Sequence, residues 1–208
     1  RTKSIYGRQI QRIWELISAG DLPRGKGSLR EEPVIDRYVT DIVQRAGPLR
    51  RRLRVVVDCG NGAGALVAPQ LFAAMNVDAE LLFCESDGTF PNHHPDPTVV
   101  ENLRDLIAEV RRTKADLGVA FDGDADRIGV VDATGEIVWG DHVLILYARD
   151  VLARTGRDQA VIFDVKCSQA LPDAVTAAGG RPVMWKTGHS LIKEKMKELH
   201  APIAGELS

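Results

Sequence analysis

Val55-Val56-Val57-Asp58-Cys59-Gly60-Asn61-Gly62 joins a β-branched run to a turn spaced by glycines. Three β-branched residues in a row fit a strand, and glycines directly after it fit a tight strand-to-helix connection. A helical pattern over Ala65 to Met75 and a strand-like one over Ala79 to Cys84 complete a βαβ unit. Downstream, residues 85 to 98 hold Gly88, Pro91, Pro95 and Pro97 and form a long loop of the kind that is often functional. A helix over Val99 to Thr113 follows, then strands Leu117 to Phe121 and Ile128 to Asp132, with Asp122 to Asp126 at the tip of the hairpin between them. After Thr134-Gly135 the alternation returns. It runs helix Asp141 to Arg154, strand Ala160 to Phe163, helix Ser168 to Ala178, strand Arg181 to Trp185 and helix Ser190 to Leu199.

Upstream, Ile5, Ile10, Ile13, Leu16 and Ile17 recur at helical spacing over residues 4 to 19, and Gly20-Asp21-Leu22-Pro23 stops that helix. A small polar connector, residues 24 to 28, leads to a second helix over Val34 to Arg45, with a domain boundary expected near Glu32. The fold expected is α/β, with tandem α/β domains, each a mixed sheet flanked by helices.

Of the 208 residues 44% are hydrophobic and 27% charged, enough apolar surface for packed cores. Lys plus Arg number 27 against 29 Asp plus Glu, a net charge of −2 that excludes a global basic field for nucleic acid or an anionic membrane. The longest fully apolar run, Val143 to Ala148, is far below the ~20 residues that cross a bilayer. The start, Arg1-Thr2-Lys3, has no Met and no signal or transit bias, so a piece of a longer protein is expected. Cys59, Cys84 and Cys167 form no CxxC, and an odd count suits reduced buried thiols in the cytoplasm. Trp14, Trp139 and Trp185 are expected in a core or an interface, and the prolines around His93, His94 and Asp96 favour a rigid structural loop.

Asp122-Gly123-Asp124-Ala125-Asp126-Arg127 sets three carboxylates at every second residue. In a flat strand such residues sit about 6.8 Å apart, too far to share an ion bound at about 2.0 to 2.1 Å, so the turn must curl. Small residues at 123 and 125 permit the curl, and hard oxygen ligands favour Mg2+. An EF-hand is excluded, because its Gly at loop position six and Glu at position twelve are replaced by Arg127 and Ala133. The competing reading is a solvated charged hairpin tip. Gly60-x-Gly62-x-x-Ala65 also fits a dinucleotide fingerprint, with Glu85 ending the next strand, which makes an NAD-dependent oxidoreductase a rival. A non-catalytic module binding a metal or a sugar phosphate is the other.

DGDADR resembles the DGDGDR metal loop of the α-D-phosphohexomutases, in particular their bacterial phosphomannomutase/phosphoglucomutase branch. VVVDCGNGAG, CESDGTFPNHHPDP, FDVKCS, RPVMWKTGHS and GELS resemble further blocks of that branch, in its order and spacing. The resemblance implies the end of a nucleophile domain with its linker in residues 1–32, a metal-loop domain in 33–136 and part of a sugar-recognition domain in 137–208. It implies Asp122, Asp124 and Asp126 as Mg2+ ligands and Arg127 as a fixed cation beside the transferring group. Lys166 and His189 are implied as active-site residues that also bind the sugar, together with Gly188, Glu206 and Ser208. The implied reaction interconverts hexose 1-phosphate and 6-phosphate of mannose or glucose through a phosphoserine and a sugar bisphosphate. The partner is then a small phosphosugar, with no nucleic acid and no membrane. No serine here lies in the family's nucleophile motif, so these residues alone are expected to be inactive. Ala125 stands where the family motif has glycine, a strained substitution if the position needs a positive φ.

Overall fold

The computed structural model describes residues 5–207. They fall into two compact units, one spanning Pro33–Val143 and the other joining the residues up to Glu32 with those from Leu144 onward. The N-terminal helix α1 (Arg8–Ala19) starts after Gly7 and closes on Gly20, whose left-handed conformation lets its own amide bond back to Ile17 and the Asp21 amide to Leu16. None of its residues is buried, and Ile10, Ile13, Trp14 and Ile17 are exposed. Tyr6, just before it, donates to the Glu194 carboxylate.

The Pro33–Val143 unit holds α2 (Ile35–Ala46), β1 (Arg54–Asp58), α3 (Ala68–Ala74), β2 (Asp78–Leu82), α4 (Arg104–Thr113), β3 (Leu117–Phe121), β4 (Ile128–Asp132) and β5 (Ile137–Val138). Its sheet runs β2-β1-β3-β4-β5, with β1 parallel to β2 and β3 and the last two strands antiparallel. The valine run of β1 has no polar alternation because both faces are covered. Val56 packs with Leu103, Leu106 and Val110, whereas Val55 and Val57 pack with Ala65, Ala68 and Phe72. Full burial of Leu106 stabilises the unit by about 1.5–3 kcal/mol.

α5 (Gly140–Thr155) carries the boundary between the units, and β6 (Ala160–Asp164), α6 (Ala170–Ala177), β7 (Arg181–Trp185), α7 (His189–Leu199) and β8 (Ile203–Gly205) follow. β6 lies at the centre of the order β7-β6-β8 and sends Val161 and Phe163 to one core and Ala160 and Ile162 to the other.

The α/β class is borne out, with a mixed sheet in the first unit. In the second, the three described strands all run parallel, since helices rather than hairpins connect them. Two helices expected as continuous begin instead with a separate 3-10 turn, at Ala63–Leu66 before α3 and at Val100–Leu103 before α4. Val67 leaves helical φ between the first pair, and Pro69 opens α3. The two short strands β5 and β8 are additions that periodicity does not reveal at two and three residues. Trp14 and Trp139, 65% and 46% exposed, are not core residues. The half-buried Trp185 carries the Lys195 ammonium 4.2 Å from its ring centroid. Of the three thiols only Cys59 is buried, and Cys84 and Cys167 are half-buried. No described helix is long and apolar enough to cross a membrane.

Candidate active site

The β3–β4 hairpin curls as the three aspartates require. Ligand atoms of Asp122, Asp124 and Asp126 lie within 4.8 Å of one another, with Asp122 buried and the other two exposed. The curl depends on Ala125, which sits at φ +60, a left-handed conformation that raises the energy of an L-residue by about 1–2 kcal/mol. The Ala125 amide bonds to the Asp122 carbonyl and closes the turn. Burial works to raise the pKa of Asp122, but the Arg127 amide and guanidinium prevail and hold it below the usual carboxylate value. Asp124 is shifted up, first by the charge of Asp126 and then by Asp122. This like-charge crowding is the kind a divalent cation relieves, and hard carboxylate oxygens are the donors that Mg2+ takes. The three residues fit the metal.

Arg127 is held from two sides: its Nε donates to Asp122 Oδ2 at 2.8 Å and its Nη1 to Asp96 Oδ1 at 3.2 Å. Asp96 lies in the proline-rich loop, and its same oxygen accepts from the Thr98 amide and hydroxyl. Nothing in the spacing of residues 85 to 98 announces that contact; it exists because the loop crosses the carboxyl ends of the strands. His93 also gains a partner there, with Nε2 3.1 Å from the buried Asp58 carboxylate.

In the other unit the expected residues gather at the carboxyl ends of β6, β7 and β8. Their hub is Asp164, a fully buried carboxylate that the sequence reading passed over. It accepts from the Thr187 hydroxyl at 3.2 Å and the Leu207 amide at 3.4 Å, and Lys166 Nζ stands 3.7 Å away. An acidic residue ending an apolar strand just before the lysine was the available signal. Glu206 Oε1 accepts from the Gly188 amide at 2.9 Å, tying two of the implied sugar-binding residues together. Gly188 needs its φ of +129 to turn the chain into α7, and His189 is exposed in the first turn of that helix. Ser208 lies outside the described residues.

Two family models match the chain: phosphoglucomutase/phosphomannomutase alpha/beta/alpha domain II over residues 36–135 and domain III over 139–208. The chain belongs to the phosphoglucomutase/phosphomannomutase family. A phosphomannomutase/phosphoglucomutase of Pseudomonas syringae pv. tomato is 52% identical over 206 residues, covering 99% of this chain and 44% of that protein. A phosphoglucomutase of Neisseria gonorrhoeae is 45% identical, with 99% and 45% covered. The crystal structure of a phosphoglucomutase/phosphomannomutase family protein from Burkholderia thailandensis superposes with a TM-score of 0.94 at 46% identity, covering 99% of this chain and 44% of that one. The chain thus spans less than half the length of these relatives.

Membership in the phosphoglucomutase/phosphomannomutase family leaves the dinucleotide reading without support, and the glycines have another use. A Cβ on Gly62 would meet the Gly123 carbonyl oxygen at 2.7 Å, so the turn after β1 is pressed against the acidic loop. The Ala63 amide bonds to that same carbonyl at 2.9 Å. The G-x-G spacing serves backbone contact with the aspartate loop.

Proposed function

We propose that this chain supplies the metal-loop domain, residues 33–136, and part of the sugar-recognition domain, residues 137–208, of a Mg2+-dependent phosphohexomutase, with residues 1–32 ending the domain before them. The enzyme interconverts hexose 1-phosphate and hexose 6-phosphate, of mannose, glucose or both, through a phosphoserine and a bisphosphorylated sugar. The observation that carries this reading is the convergence of Asp122, Asp124 and Asp126 in a chain of this family.

Asp122, Asp124 and Asp126 would hold the metal, which when bound supplies positive charge to the oxygens of the transferring phosphoryl group. Arg127, fixed by Asp122 and Asp96, presents a planar cation of constant orientation beside the same group. Lys166, half exposed above Asp164, adds a second cation for a substrate oxygen. Glu206, held by the Gly188 amide, keeps acceptor capacity for paired sugar hydroxyls, with Ser208 two residues on in sequence. His189 is placed to bind a hydroxyl or move its proton. The compartment proposed is the cytoplasm, and the partner is a small phosphosugar.

The test is a coupled mutase assay on the full-length protein with glucose 1-phosphate and mannose 1-phosphate. Activity is expected to vanish with a chelator, return with Mg2+, and fall about 100-fold or more in Asp124→Asn. Wild-type activity in that variant removes the metal assignment. Binding of either sugar phosphate with no turnover by the full-length protein favours the non-catalytic module.

A further inference from the structure

At the exit of β1 and β2, in ground the proposed reaction does not use, two sulfurs face each other. Cys59 Sγ and Cys84 Sγ lie 2.7 Å apart, in direct contact. The strands that end just before them are adjacent and in parallel register, and the Cys59 amide bonds to the Leu82 carbonyl across the same junction. Cys59 is fully buried, whereas Cys84 is half-buried and within reach of a small solute. The third thiol, Cys167, sits in the other unit, 3.5 Å from the Asp164 carboxylate.

We propose that Cys59 and Cys84 form a dithiol modification site that reacts with hydrogen peroxide to give a reversible disulfide. Cys84 is the attacking sulfur. It is the half-buried sulfur that a small solute reaches, whereas Cys59 is enclosed; the contact between them draws the Cys84 pKa down, and the same contact, then burial, pushes Cys59 up. In the first step the Cys84 thiolate takes one oxygen of the peroxide, the O–O bond breaks, and the hydroxide released collects a proton as water; Cys84 is now a sulfenic acid. In the second, the Cys59 sulfur attacks Cys84, the S–O bond breaks, and hydroxide leaves with the Cys59 proton as a second water. Two thiols are oxidised and one peroxide is reduced. The sequence suggested only reduced, separate thiols, because 25 residues and no CxxC pattern part the two cysteines. The bridge would tie the strand ends directly beneath the Gly60–Gly62 turn, whose neighbour Ala63 holds the Gly123 carbonyl of the acidic loop.

The experiment exposes the native full chain to a graded series of hydrogen peroxide concentrations, then denatures it, alkylates the remaining thiols and maps the peptides. Alkylatable thiols are expected to fall from three to one, with a Cys59–Cys84 linked peptide, a mass about 2 Da lower, and full recovery on reduction with dithiothreitol. The pair should be consumed about tenfold faster than Cys167. In Cys59→Ser the resolving sulfur is gone, and Cys84 should proceed to sulfinic acid that dithiothreitol does not reverse. In Cys84→Ser, Cys59 should stay alkylatable after denaturation. The proposal is overturned if wild-type Cys84 reaches sulfinic acid with no linked peptide, if Cys167 is consumed first, or if Cys59 in Cys84→Ser oxidises as fast as the wild-type pair. These readouts do not involve mutase activity, so they stand apart from the proposed reaction.

Discussion

The two units use the same topological device and fill it differently. In each, the first parallel strand lies between the next two strands of its unit, β2 and β3 around β1, and β7 and β8 around β6, which opens a crevice at the strand's carboxyl end. Each central strand ends in a carboxylate with no exposed surface, Asp58 or Asp164. Asp58 is closed over: it accepts from the Gly60 amide, His93 lies against it, and the 85–98 loop seals the place. Asp164 instead gathers Lys166, Thr187 and Leu207 at a partly exposed edge. One crevice is filled, and its unit gathers three aspartates on the neighbouring hairpin instead. The other keeps its crevice for the residues proposed to read the sugar.

That contrast can be broken most forcefully by deleting each carboxylate. Asp58→Ala should destabilise its unit by about 3–5 kcal/mol, because the His93 and Gly60 donors lose a buried acceptor. Asp164→Ala should weaken the other unit by about 1–3 kcal/mol, since water can reach its partners. Denaturant-dependent hydrogen exchange of the β1 and β6 amides reads the units separately, and the reverse order would refute the closed and open assignment.

Glycine replacements sharpen the comparison at a smaller scale. Gly62→Ala drives a Cβ into the backbone oxygen of Gly123, which cannot rotate away, and should destabilise by about 1–3 kcal/mol while weakening Mg2+ binding measured by calorimetry. Gly205→Ala meets the buried Leu144 side chain, its Cδ2 at 2.6 Å, which can yield where a backbone oxygen cannot, so its effect should lie at the low end, about 1 kcal/mol.

Asp58 also predicts a pH dependence. Burial raises its pKa in the folded chain above the ordinary value, so between those two values the folded state keeps a proton that the unfolded state has released. Stability therefore falls as pH rises through that window and levels off above it. Denaturation midpoints across the window should show this fall for the wild type, and Asp58→Asn should remove it.

The smallest effect is expected at Ala125. Ala125→Gly relieves the left-handed strain but frees the unfolded chain, for a net gain of about 0.5 kcal/mol in thermal unfolding.

Most elements were legible because their signals are local. The valine run, the proline-rich loop, the glycine stop after α1 and the hairpin around the aspartates each declare themselves within a few residues. What escaped was of two kinds. β5 and β8 are too short for a period to show, and the 3-10 turns before α3 and α4 differ from helix only in how the backbone bonds. The other kind is long-range: Asp96 meets Arg127 across 31 residues, and Cys84 meets Cys59 across 25.

Neighbouring residues are enough to reveal two α/β units, three carboxylates at alternate positions and a glycine-governed turn after β1. Only the tertiary structure decided which carboxylates lie at strand ends inside a crevice, that Gly62 presses on Gly123, and that Asp96 and Asp122 share one arginine. The reason is that side-chain period and turn chemistry are written in neighbouring residues, whereas strand order is set by which apolar faces bury each other, and strand order with the loops that cross the strand ends brings distant side chains to one edge.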